Sequence, residues 1–181
     1  MTITTARGAS IAVLLLGLCL AALPARAADQ AREVVGLFVQ SCLKYVGEPT
    51  ELQDWIKATT PLRKLAAQEA SAFLDGKRGD VWNAENDAGL FALVVLADDT
   101  CSVMAQQASA DQVSLVFEDY VRRKGLPLNK VGDKREYVRG IDERVETWRT
   151  SGGDFPYEVS VMTSKSPRAD AQAVLTTHPN R

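Results

Sequence analysis

The run Gly89 to Gln107, GLFALVVLADDTCSVMAQQ, constrains this chain more than any other stretch. Leu90 to Ala97 is uninterrupted apolar sequence, rich in Val, Leu and Phe. Asp98-Asp99-Thr100 breaks it, and Val103 and Met104 resume it. Such a pattern reads as two strands joined by a tight turn, a β-hairpin. A strand that is apolar on both faces must be covered on both, so Leu90 to Ala97 is expected at the centre of a sheet. Cys101 opens the second strand.

Cys101 has one partner within reach of an argument. The chain contains three cysteines, Cys19, Cys42 and Cys101. Cys19 lies in an N-terminal segment with the marks of a secretory signal peptide: Arg7, an apolar core from Ile11 to Leu23, and Ala25 and Ala27 at the small-residue positions of a cleavage site. The apolar core is short of the roughly 20 residues a membrane span needs. A lipoprotein reading of Cys19 wants a small residue before it and finds Leu18. Cleavage after Ala27 is expected, which leaves residues 28–181 as a single α+β domain in the periplasm or outside the cell. There, two remaining cysteines are most simply one structural disulfide, Cys42–Cys101. A redox pair is normally close in sequence, as Cys-x-x-Cys, and these are not. Closing a loop of about 60 residues is worth roughly 4 kcal/mol in the chain-entropy picture.

Cysteine 42 sits in a helical pattern. Val34, Val35, Phe38, Cys42 and Tyr45 recur at steps of three and four through Asp29 to Val46, and Gly47 and Pro49 end the run. Thr50 and Gln53 have capping-box spacing and open a short helix with Leu52, Trp55 and Ile56 on one side. Thr60-Pro61 is expected to open a third helix through Leu62, Leu65, Ala66, Glu69, Ala70 and Phe73, stopping at Gly76. These make a helical part, residues 28–76. Residues 80–178 are read as a mostly antiparallel sheet with one inserted helix, 110–124. Val81-Trp82-Asn83 enters the hairpin, Ser109 and Gln112 suggest a capping box, and Val113, Val116, Phe117, Tyr120 and Val121 face inward. Beyond Leu126 the period falls to two. A Gly132-Asp133 turn, a turn at Ser151–Asp154 and strands at Phe155–Lys165 and Ala171–Thr177 are expected. Over Tyr137–Thr150 the spacing of Val138, Ile141, Val145 and Trp148 fits a helix as well. The alternation around Val145, Thr147 and Arg149, with Gly140 and Asp142 as turn residues, favours strands Lys134–Arg139 and Arg144–Thr150.

Chemistry is sparse. The single histidine, His178, lies in a polar tail expected to fray, which leaves Ser and Cys nucleophiles without an evident base. Glu85 with Asp87, Asp98 with Asp99, and Glu118 with Asp119 are candidate carboxylate pairs for glycosidic chemistry, although turns and helix surfaces account for them equally well. Glu85 to Gly89 lacks the spacing of a calcium loop, and there is no zinc spacing, phosphate loop or nucleotide fingerprint. No cofactor or metal is therefore implied. Removing residues 1–27 takes away Arg7 and Arg26 and no acid, so the formal charge moves from −2 to −4. That balance gives no reason to expect nucleic acid as a partner. No later segment is apolar enough to span a membrane.

The candidate surface-binding residues are Arg122, Arg123 and Lys124, which end a helix before Gly125, and Trp82 and Trp148, whose spacing is more often that of core aromatics but whose polar neighbours allow a half-exposed setting. The three cations also complement a helix dipole without binding anything. The functional expectation is an exported, non-catalytic binding or interaction protein acting on another envelope protein or a small ligand. The alternative is a carboxylate-dependent hydrolase of cell-wall polymer.

Overall fold

The computed structural model describes residues 22–59, 62–151 and 156–179. Within them the chain runs α1 (Ala22–Phe38), a π-helical turn (Val39–Leu43), α2 (Pro49–Ala58), β1 (Arg63–Lys64), α3 (Ala67–Leu74), β2 (Gly79–Asn86), β3 (Gly89–Leu96), β4 (Cys101–Ala105), α4 (Ala110–Lys124), β5 (Leu128–Val138), β6 (Ile141–Thr150), β7 (Tyr157–Ser164) and β8 (Ala173–Pro179). The strands form one antiparallel sheet in the order β1-β2-β3-β4-β8-β7-β6-β5. It is two four-stranded meanders laid side by side, the first with α3 between β1 and β2, and their last strands β4 and β8 are paired. The fold class is α+β, as the pattern of helices followed by alternating strands predicts.

The apolar run Leu90 to Ala97 forms β3, an interior strand between β2 and β4. Its two faces serve two cores. Cross-strand partners set one row as Trp82, Leu93, Val103, Leu175, Val161 and Glu146. The helices α1 and α4 cover this face with Val34, Val35, Phe38, Val113, Phe117 and Val121, all buried. Phe117 makes edge-to-face contacts with Phe38 at 6.0 Å and Trp148 at 5.5 Å between ring centroids, the preferred aromatic geometry. The adjacent row, on the opposite face, is Asn83, Ala92, Met104, Val174, Met162 and Val145. Here only the two-turn helix α3 packs down, burying Ala70 against Val81, Ala92 and Val94. The rest of this face stays open.

Cys42 and Cys101 are bonded, with Cα atoms 5.3 Å apart, inside the range of ordinary disulfides. Cys42 lies in the π-helical turn that continues α1, and Ser41 beside it donates its hydroxyl to the Leu37 carbonyl at 2.6 Å. The bond ties the first helical layer to the opening residue of β4.

Several local expectations fail for physical reasons. Residues 60 and 61 lie outside the described residues, but Leu62 to Leu65 are not helical: Arg63 and Lys64 pair with Asn83 and Trp82 as an edge strand, and Leu65 donates its N–H to the Val81 carbonyl. The helical part is thus interrupted by the sheet's first strand, and α3 begins only at Ala67, with Glu69 accepting the Ala66 N–H at 3.2 Å. Gly132-Asp133 is not a turn but a β-bulge, between Lys130 and Gly132, because the pairing with β6 continues on both sides of it. Neither capping box forms: α2 starts on Pro49, and the Ser109 hydroxyl makes no cap bond. Of the turn Ser151–Asp154, only Ser151 is described. Helix α1 crosses the expected cleavage position, where the Ala27 carbonyl accepts the Ser109 N–H at 3.0 Å; residues 1–21 lie outside the described residues. Among the described residues no helix is long and apolar enough to cross a membrane.

Candidate functional site

The open part of the second sheet face is a groove of about 750 Å³. Its floor is Met104, Val174 and Met162, side chains contributed by β4, β8 and β7 at matching register. Phe73 of α3 and Leu90 of β3 stand on one side. On the other, the β5–β6 hairpin runs past the end of β7. The last β6–β7 pair is Glu143 with Ser164, so Ile141, Val138 and the Arg139-Gly140 turn project beyond it and wall the groove. That turn needs a positive φ at both positions, and Arg139 (49°) and Gly140 (82°) supply it.

The groove gathers apolar surface that the core does not use. Phe73, Leu90 and Val138 are 37%, 49% and 41% exposed, and all three line it. Single exposed hydrophobics are ordinary, whereas several converging on one concavity of ligand size are the mark of a binding site. Glu143 and Asp170 are the carboxylates of the lining, and Arg139 its cation. Burial among these apolar groups, and then the neighbouring charge of Glu136, push the Glu143 carboxyl above its ordinary value.

The residues singled out in the sequence do not meet here. Trp82 and Trp148 are 6% and 5% exposed, so neither is half exposed. Both fall on the face that α1 and α4 cover. The Trp148 indole N–H has no hydrogen-bond partner among the described residues, and the Lys130 ammonium lies over its ring at 5.8 Å. Arg122, Arg123 and Lys124 are exposed at the end of α4, and Asp119 pairs with the first two at 2.8 and 2.5 Å. Gly125 ends the helix with φ 59°, as read. The three carboxylate pairs are scattered: Glu85 and Asp87 at one end of β3, Asp98 and Asp99 at the other, Glu118 and Asp119 on α4. His178 is not in a frayed tail. It sits in β8 opposite Glu158, exposed, with its Nε2 3.5 Å from the Ser160 hydroxyl. Glu158 is itself paired with Arg149 at 2.8 Å.

A second charged assembly occupies the helix-covered face at the far edge of the sheet. Glu146 is 1% exposed, yet it lies 3.0 Å from Arg144 and 3.2 Å from Lys130. Arg144 also holds Asp133 by two parallel hydrogen bonds, 2.6 and 2.8 Å, and keeps the Asp133 carboxyl far below the usual carboxylate range. Every charge in it has an opposite one, so the assembly reads as structural. The chain matches no protein-family model and no curated protein sequence.

Proposed function

We propose that this is an exported, periplasmic binding protein without catalytic chemistry of its own, and that its ligand site is the groove between α3 and the β5–β6 hairpin. One observation carries the reading: three large hydrophobic side chains that remain exposed, Phe73, Leu90 and Val138, converge on one concavity whose floor is two methionines and a valine. Methionine suits a site that adapts to its ligand, because the side chain is flexible and polarisable. The volume is that of a small-molecule pocket. Export rests on the leader-like N-terminus, and a disulfide is consistent with an oxidising compartment.

The test is direct. The neutral fluorophore N-phenyl-1-naphthylamine should brighten on the purified mature protein with a single saturable phase. Leu90→Glu and Phe73→Ser, changes at exposed positions, should each weaken it several-fold and together abolish it. Unchanged binding in the double variant would remove the groove as the site.

The hydrolase alternative keeps one observation in its favour, since Glu143 and Asp170 share the groove. It requires the two carboxyl groups to flank a sugar linkage. Solubilisation of purified peptidoglycan by the wild-type protein, lost in Asp170→Asn, would establish it over simple binding.

A further inference from the structure

The groove has an electrostatic asymmetry that speaks to its ligand. Carboxylates that are fully exposed need no partner. Those drawn out of water gain from one, and Asp119 has Arg122 and Arg123, Glu146 has Arg144 and Lys130, and Glu158 has Arg149. Glu143 is also partly buried, and among the described residues no cation pairs with it. Its position aggravates this. It follows Ile141 and precedes Val145 on the same face of β6, an apolar stripe, and its cross-strand partner is Glu136, a like charge. Like charges directly opposed in a ladder are destabilising. A carboxylate placed at cost on the wall of an open apolar groove lacks one thing, a cation.

We propose that the ligand is a small amphipathic cation, an apolar chain or ring carrying an amine, amidine or quaternary ammonium, with its body on Met104, Val174 and Met162 and its charge on Glu143. The inference rests on the groove being the ligand site. Asp170 on the same lining adds to the negative potential. Arg139 does not reverse the sign of the argument: it stands exposed at the hairpin tip, where a guanidinium is satisfied by water. A charge that costs nothing to leave alone says little, whereas one that is partly desolvated gains most from a partner.

Three probes with the same decyl chain separate the parts. Decyltrimethylammonium, decyl maltoside and decanoate are titrated below their aggregation concentrations, by displacement of N-phenyl-1-naphthylamine and by calorimetry. Wild-type protein should prefer the cation to decanoate by about tenfold or more, the scale of one charge-assisted contact. Glu143→Gln should collapse that ratio to within about twofold, and Glu143→Lys should invert it; Glu118→Gln, on the exposed surface of α4, should leave it intact. Equal affinity for all three probes in the wild type, or a preference that survives in Glu143→Gln, overturns the cationic ligand while the groove stands. Failure of all three probes and of the fluorophore to bind overturns both.

Discussion

Glu136 and Glu143 face each other across the β5–β6 ladder, and Lys134 pairs with only the first of them. The consequence for stability has a definite sign. Burial and the Glu136 charge raise the Glu143 carboxyl above its unfolded value, so the folded state holds the proton more tightly than the unfolded one. Stability is therefore lost as the pH rises through the folded-state value and is regained on acidification. Glu143→Gln should melt about 2 °C or more above wild type at pH 8. The gap should close as the pH is lowered towards about 4, where the wild-type side chain is protonated. Melts at a series of pH values decide it; a gap that does not depend on pH would show that the ionised carboxylate costs the fold nothing. Stability surrendered at one position on the wall of a cleft is the usual signature of a site kept for function.

The Glu146 assembly should behave oppositely. Arg144→Leu leaves a fully buried carboxylate with Lys130 alone, and removing one partner of a buried pair costs about 3–5 kcal/mol. Because Lys130 remains, the low end is expected. The double variant Arg144→Leu, Glu146→Leu should recover much of the loss, since the two effects are coupled. Denaturant unfolding of the three proteins measures both. Asp133 adds a pH signature. Its carboxyl is held below its unfolded value chiefly by Arg144, so its contribution is present above about pH 4 and is lost as the pH falls below that. Wild type should exceed Asp133→Asn at pH 7, and the difference should shrink steadily below about pH 4.

What the sequence reveals depends on whether the decisive partner is near in the chain. The hairpin at Asp98-Asp99, the helix ending at Gly125 and the strands Arg144–Thr150 and Tyr157–Ser164 are set by local periodicity and turn residues, and they appear where expected. The disulfide was legible because only two cysteines remain after a leader is set aside. Residues 62–65 look helical but are recruited by β2, a pairing across the intervening helix α3 that no local pattern announces. Gly132 looks like a turn because a bulge and a turn break the period in the same way. Trp82 and Trp148 are core, as their spacing favours, and the half-exposed alternative fails because their polar neighbours in sequence point to the other face of the strand, away from the indoles. The groove is assembled from α3 and the seven strands β2 to β8, and Met104 and Met162 are unremarkable until β8 lies between them. One local signal was available: Glu143 alternates with Ile141 and Val145, a charge on an apolar stripe.

Two glycines separate steric from conformational cost. At Gly79 a Cβ would stand 2.5 Å from the Val95 carbonyl oxygen, which belongs to the backbone of the paired strand and cannot yield. At Gly76 a Cβ would meet nothing, but φ is +76°. Gly79→Ala should therefore cost about 2 kcal/mol or more through overpacking, and Gly76→Ala about 1 kcal/mol through backbone strain alone. Gly76→Asn, which tolerates this conformation, should be close to neutral. Equal costs for the two alanine variants by chemical denaturation would contradict the distinction.

Cys42 and Cys101 are separated by 59 residues and bonded between the π-helical turn and the first residue of β4. The bond acts on the unfolded chain, which it denies the freedom of that long loop. Both half-cystines are buried, at 1% and 3% exposure, so two serines in their place also add polar groups to the core. The double variant Cys42→Ser, Cys101→Ser should lose about 2–5 kcal/mol. For a chain of this size that lowers the melting temperature by roughly 10 °C. The groove is lined by neither residue, so the molecules that still fold should bind N-phenyl-1-naphthylamine as before. Under the proposed export and cleavage, thiol titration of the processed wild-type protein, denatured without reductant, should find none free, and a precursor that retains Cys19 should show one. Two reactive thiols in the mature protein would mean the staple does not form in the cell. A melting temperature unmoved by the double substitution would mean it forms without stabilising the fold.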